Sequence, residues 1–215
     1  MIKHGNRAKN HGIKRMVAAS SAACYGIPDP LNIPLQEIVA NGGIAPYSQT
    51  KFKMEKLMQQ YSEVHGLPTT ALRFFNVYGP RQDPHSDYSG VISWFMDQAH
   101  INGNITVTGD GEQYRDFVYV KDVARAIRTA MELKTPDFDV YNVATGSKTT
   151  VNVLAQTIVD VFSSSAVISH IAERPGDVKE SLANTAKTSQ YLGFTSEYVL
   201  RKGLEETRDW FIETQ

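Results

Sequence analysis

The chain has 215 residues, with 22 Lys and Arg against 23 Asp and Glu and a formal net charge of -1, so it lacks the basic excess expected of a nucleic-acid binder. Hydrophobic residues make up 41% and charged residues 21%, the balance of a globular chain of one or two domains, and no apolar run approaches the roughly 20 residues that span a bilayer. Cys24 is the single cysteine, which excludes an internal disulfide. The six histidines show no HxH or HxxxH spacing, so no metal site is expected.

The basic opening "MIKHGNRAKNHGIKRM" has no apolar stretch behind it to serve as a secretory leader, so a cytoplasmic location is expected. "GNRAKNHGIKRMV" reads as the end of a helix, and "IKRMVAASS" rises into a buried strand ending near Ser20. A long loop follows through Pro28, Pro30, Pro34 and Gly42-Gly43 to Pro46. From there "YSQTKFKMEKLMQQYSEVHG" has no internal Gly or Pro, carries Phe52, Leu57, Met58 and Tyr61 at helical spacing, and stops at Gly66. "TTALRFFNVYG" reads as a second buried strand, and strand, loop, helix, strand is the grammar of a parallel α/β sheet.

Beyond residue 80 the elements shorten. Residues 89 to 101 read as a helix, "NITVTGDGEQYRDFVYV" as two strands around the Gly109-Asp110-Gly111 turn, and Asp122 as the cap of a helix running to Leu133. "VYNVATG" is a strand, Val151 to Phe162 has helical spacing, "AVISHI" is a further strand, and Leu200, Leu204, Trp210 and Phe211 mark a closing helix.

Tyr47 and Lys51 lie one turn apart on a helix face, close enough for their side chains to approach within roughly 5–6 Å. A free phenol ionises near pH 10, too high for a base at neutrality, but a neighbouring cation favours the phenolate. Tyr47 is therefore a candidate general base, with Ser21 at the strand end as a hydrogen-bonding partner for a substrate hydroxyl. YxxxK alone is a common chance pattern. The serine at a strand terminus, the long loop and Pro-Tyr opening a helix together aim all three side chains at the carboxyl end of a sheet, where such folds bind ligands.

At this point "ASSAACYG", "PYSQTK", "LRFFNVYGPRQ", "GDGEQYRDFVYVKDVARA", "YNVATG" and "RPGDVKESLANTAKTSQYLGF", in order from residue 18 to 194, resemble the extended short-chain dehydrogenases and, within them, the NAD-dependent nucleotide-sugar 4-epimerases. The resemblance implies a partial Rossmann-like parallel sheet with a smaller α/β substrate-binding domain. Residues 1–85 would form the C-terminal part of the NAD-binding domain, and 86–215 mainly the nucleotide-sugar domain, with about 110–150 returning to the first. It implies Tyr47 as the acid/base, Lys51 on the nicotinamide ribose, Ser21 on the sugar O4 and Phe74 beside the nicotinamide. Asn76 would hold the diphosphate, Arg115 and Arg174 would contact phosphate and the nucleoside, and Asp177 would reach the ribose hydroxyls. Ala22-Ala23 stands where related dehydratases carry Asp-Glu, which disfavours dehydration. Ser181 stands where some epimerases carry a bulky tyrosine, which leaves room for an N-acetyl group. UDP-glucose, UDP-galactose or their N-acetyl forms are thus the expected substrates, NAD the cofactor, and a homodimer the expected assembly.

The family's N-terminal glycine-rich NAD-binding turn has no counterpart here, since Gly5 and Gly12 are isolated. The sequence reads as starting mid-domain, so a partner covering the missing N-terminal half is the alternative to self-association. The competing functional readings are a noncatalytic nucleotide-sugar-binding or assembly module, and a dehydratase, reductase or decarboxylase using the same three residues.

Overall fold

The computed structural model describes residues 2–82, 90–135, 137–173, 176 and 178–214. Helix α1 (Ile2–Asn10) leads into strand β1 (Met16–Ser21), and short 3-10 turns carry the loop to helix α2 (Pro46–His65). Strands β2 (Thr69–Phe74) and β3 (Asn76–Tyr78), helix α3 (Val91–His100) and strands β4 (Asn104–Thr108), β5 (Tyr114–Arg115) and β6 (Phe117–Tyr119) come next. Helix α4 (Val120–Glu132), β7 (Asp139–Val143), β8 (Thr149–Thr150), helix α5 (Val151–Phe162), β9 (Val167–Ile171), a π-helical turn (Thr188–Leu192) and helix α6 (Leu200–Thr214) complete the chain. Among the described residues no helix is long and apolar enough to cross a membrane.

The α2 boundaries follow from local chemistry. Pro46 occupies the first turn, where its missing N–H costs nothing, and Gly66 closes the helix in the left-handed conformation with its N–H on Ser62 and Tyr61 carbonyls. Strands β1, β2 and β7 form a parallel sheet in that order, with Ser21 opposite Phe74 and Phe74 opposite Val143. The central β2 is sandwiched. Ala71 packs with Met58 of α2, whereas Leu72 packs with Val123 and Ala126 of α4, the period-two alternation of a strand covered on both faces.

A second core gathers Phe95, Met96, Ile105, Leu154, Ile158 and Leu204 between α3, β4, α5 and α6. Leu204 and Phe211 anchor the closing helix, while Trp210 is only half-buried. Gly203 lets α6 approach closely, because a Cβ there would lie 2.2 Å from the Tyr78 hydroxyl oxygen. Cys24 is fully buried, as its apolar neighbours imply.

Three sequence expectations change. "TTALRFFNVYG" is two strands, because Phe75 N–H still donates to Val143 O whereas Asn76 N–H donates to Asp116 O, and the chain changes neighbour there. β3 then pairs in parallel with β6 in a separate two-stranded ribbon. The stretch around Gly109-Asp110-Gly111 holds three strands and not two, with β4 on β9, β5 antiparallel to β8 and β6 on β3, so no pairing between them closes the turn. The turn is held instead by α5, with Asn152 Nδ2 donating to Asp110 O and Gly111 at φ +76 leaving the space a Cβ would take from Asn152. Asp122 does not cap its own helix, which begins two residues earlier with Tyr119 at the cap. Its buried carboxylate accepts from Ser196 Oγ, from the N–H groups of Glu197 and Tyr198, and from Arg125, and so fastens the approach to α6.

Candidate active site

The carboxyl ends of β1, β2 and β7 make one rim, because Ser21, Phe74 and Val143 are in register. Ser21 is partly buried there and its Oγ accepts from Ala23 N–H at 3.1 Å, closing the first turn after the strand. Tyr47 opens α2 and is 58% exposed, so its phenol is open to a ligand. The Lys51 Nζ lies 5.6 Å from the Tyr47 ring centroid and donates to Ala19 O at 2.8 Å.

That carbonyl has a particular place. Residues of a parallel strand alternate the side to which their N–H and C=O point. Met16 N–H donates to Pro68 O on the β2 side, which turns the backbone groups of Val17, Ala19 and Ser21 toward the other edge. Among the described residues β1 has no strand on that edge. The Lys51 ammonium thus reaches a β1 carbonyl on the edge away from β2.

Beneath the rim, α2 is clamped to the sheet by a buried polar network. Glu55, one turn beyond Lys51, accepts from Ser20 Oγ at 2.5 Å and from Arg73 Nε at 2.9 Å and Nη2 at 2.7 Å. Glu55 and Arg73 are 2% and 3% exposed. Burial works against the Arg73 charge, but Glu55 and Tyr25 outweigh it and the guanidinium is held above its usual range. Arg73 Nη1 also donates to Glu37 O, and the Tyr25 hydroxyl donates to Asn142 Oδ1 at 2.6 Å. Burial pushes the Tyr25 phenol up to about 12, with Arg73 pulling the other way. An arginine inside the apolar run "TTALRFF" was the available signal for this network, since a buried guanidinium requires a carboxylate partner.

The other expected site residues fall into two groups. Asn76 follows the rim by two residues and gives both its backbone N–H and its Nδ2 to Asp116 O, at 3.0 and 3.1 Å. Arg115 donates to Tyr114 O, and the Ser181 N–H donates to Tyr114 O at 3.2 Å, so the β5 segment and residue 181 are adjacent. Ser181 is buried, and Phe74 is half-buried against the apolar cluster on the α4 side of the sheet. Arg174 and Asp177 lie outside the described residues. A cavity of about 500 Å³, within the range of small-ligand sites, is lined by Gln113, Lys148 and Lys179 and by Tyr114 and Glu180, the chain neighbours of Arg115 and Ser181. Lys148 Nζ sits 4.1 Å from the Tyr114 ring centroid at its wall. A cavity of similar volume lies on the α2 side of β7, between Phe52, Lys56 and Lys187. Neither lining contains Ser21, Tyr47 or Lys51.

Residues 6–144 match the model of the NAD dependent epimerase/dehydratase family. The chain belongs to this family. A putative UDP-glucose 4-epimerase of Methanocaldococcus jannaschii is 34% identical over 203 residues, which are 94% of this chain and 64% of that protein. The solved UDP-N-acetylglucosamine 4-epimerase of Methanobrevibacter ruminantium M1, in complex with UDP-N-acetylmuramic acid, superposes with a TM-score of 0.92 at 38% identity, covering 100% of this chain and 68% of that one. The Thermotoga maritima UDP-glucose 4-epimerase, solved with UDP-glucose, gives a TM-score of 0.90 at 33% identity over 98% of this chain and 67% of its own. The Rossmann-like α/β class expected of the sequence is thus the observed one, while the chain spans slightly less than two thirds of its curated relative.

The residues present fit one end of the family's NAD. A phenol and an ammonium one turn apart at the start of α2 suit a nicotinamide ribose. The pyrophosphate end needs a glycine-rich turn feeding a helix N-terminus, which the 215 residues do not contain.

Proposed function

We propose that this chain carries the catalytic and sugar-nucleotide-binding portion of a UDP-sugar 4-epimerase, with residues 1–85 and β7 on the cofactor side and most of 86–215 on the substrate side. The observation that carries the reading is the rim itself: Ser21 at the end of β1, Tyr47 exposed at the start of α2, and the Lys51 ammonium against both the Tyr47 ring and β1. In this reading Ser21 orients the sugar's 4-hydroxyl and Tyr47 takes its proton, then returns it to the opposite configuration. NAD, when bound, accepts and returns the C4 hydride. Lys51 and Tyr47 would hold its ribose.

Asn76 and Arg115, with Arg174 and Asp177, would grip the diphosphate and nucleoside, for which amide donors and guanidinium forks are suited. The buried Ser181 leaves room at the sugar's C2 substituent, so N-acetylated UDP-sugars are included among the substrates. The two superposed 4-epimerases, solved with UDP-sugars, support that substrate class. The second reading is a noncatalytic nucleotide-sugar-binding module, which the cavity beside Tyr114 and Glu180, apart from Ser21, Tyr47 and Lys51, favours.

The test mixes the chain with NAD and UDP-N-acetylglucosamine and follows the anomeric proton signals by NMR, with UDP binding measured in parallel by calorimetry. Appearance of the galacto epimer, abolished in Tyr47→Phe, is the expected result. Binding of UDP without epimer supports the module instead, and absence of UDP binding refutes both.

A further inference from the structure

Asp116 is 0% exposed and stands between β5 and β6, which belong to different sheets. Its Oδ1 accepts from Thr145 N–H at 2.8 Å and Thr145 Oγ at 2.7 Å, and its Oδ2 from Gly146 N–H at 2.9 Å and Ala183 N–H at 3.4 Å. Its backbone carbonyl receives both donors of Asn76. One residue thereby ties the start of β3, the turn after β7 and the segment two residues beyond Ser181, while its preceding neighbour is Arg115. Gly146 holds this turn at φ +72.

The donor set demands a carboxylate. Three backbone N–H groups and a hydroxyl converge on two oxygens, and a carboxylate accepts at both, whereas an amide would turn an NH2 group toward one pair of them. A charge buried this deeply is retained in folded proteins only where hydrogen bonds compensate it. The Asp116 carbonyl takes part in the β3–β6 ladder through the Asn76 N–H, but its carboxylate serves no strand ladder and acts only on the mutual placement of these segments.

We propose that Asp116 is a positioning residue for the sugar-nucleotide site, fixing the Asn76 amide so that its second N–H is free for the diphosphate and setting the 181–183 segment at the same site. The inference rests on the substrate reading above. It predicts a selective effect, because the Asn76 amide is assigned to the diphosphate and not to the nucleoside.

The experiment measures UDP and uridine affinities by NMR titration of the full chain for the wild type, Asp116→Asn, Thr145→Val and Thr145→Ser, together with hydrogen exchange of the Asn76 side-chain amide in the free protein. In Asp116→Asn the UDP affinity falls about ten-fold or more, the scale of one lost hydrogen bond to a charged group, with uridine affinity unchanged. Thr145→Val shows the same effect in weaker form and Thr145→Ser restores it. Equal losses for UDP and uridine, or wild-type UDP affinity in Thr145→Val, overturn the proposal. If the wild type binds no UDP, the substrate reading fails, and the amide exchange decides the positioning role separately. Faster Asn76 exchange in Thr145→Val, reversed in Thr145→Ser, supports it, and unchanged exchange refutes it.

Discussion

Glu55→Gln is the sharpest test of how the candidate catalytic helix is held. The substitution keeps the side chain's shape but replaces Oε2 or Oε1 by an NH2 group facing the Arg73 guanidinium, which lies 2.7 and 2.9 Å from these oxygens. Arg73 then remains as a cation at 3% exposure with only neutral partners, the one remaining oxygen of residue 55, Glu37 O and the Tyr25 hydroxyl. Breaking one side of a buried ion pair costs about 3–5 kcal/mol, a large share of the roughly 5–15 kcal/mol that stabilises a typical domain. Arg73→Met leaves the Glu55 carboxylate with Ser20 alone and costs a similar amount. The double variant removes both charges together, so its cost is smaller than the sum by about 2–4 kcal/mol. Urea unfolding followed by circular dichroism measures all three. Single-variant losses below about 1 kcal/mol, or strictly additive effects, would refute the view that this pair clamps α2 onto β1 and β2.

Tyr47→Phe removes the phenol from a largely exposed position, so we expect turnover to vanish while UDP affinity and thermal stability stay at wild-type values; a loss of UDP binding would show that Tyr47 acts in binding instead. Gly203→Ala forces a Cβ to within 2.2 Å of the Tyr78 hydroxyl oxygen and should cost about 1–3 kcal/mol by overpacking, partly relieved in the double variant with Tyr78→Phe; no relief would mean that the strain lies elsewhere. Burial pushes the Asp122 carboxyl upward, but Arg125 and the donors of 196–198 outweigh it and hold it below its ordinary range. Its folded value is thus under the unfolded one, so its stabilisation is complete above the unfolded pKa of about 4 and is lost as pH falls through the folded value. Wild-type stability should fall more steeply below about pH 4 than that of Asp122→Asn, and parallel acid profiles would sink the assignment.

Local chemistry in the sequence was sufficient wherever an element's ends are set by residues within it. Pro46 and Gly66 delimit α2, short apolar-rich runs mark β1, β2 and β7, and the spacing from Val151 to Phe162 defines α5. The alignment of Ser21, Tyr47 and Lys51 at a strand end and a helix start was also readable, because strand, loop and helix follow one another directly along the chain. The six ordered motifs carried the family. What the sequence left undecided depends on partners far along the chain. Whether "FFNVYG" continues one strand or begins another turns on the competition between Val143 and Asp116 for its N–H groups. The β4 strand finds β9 more than sixty residues away instead of its neighbour across the glycine turn. Glu55 with Arg73, Asp116 with residues 145, 146 and 183, and Lys51 with the Ala19 carbonyl are all pairings between separate elements. A buried charge in a sequence announces that it must have a partner, but only the packing of helices on the sheet decides which one it receives, because that choice is made by distance in space and not along the chain.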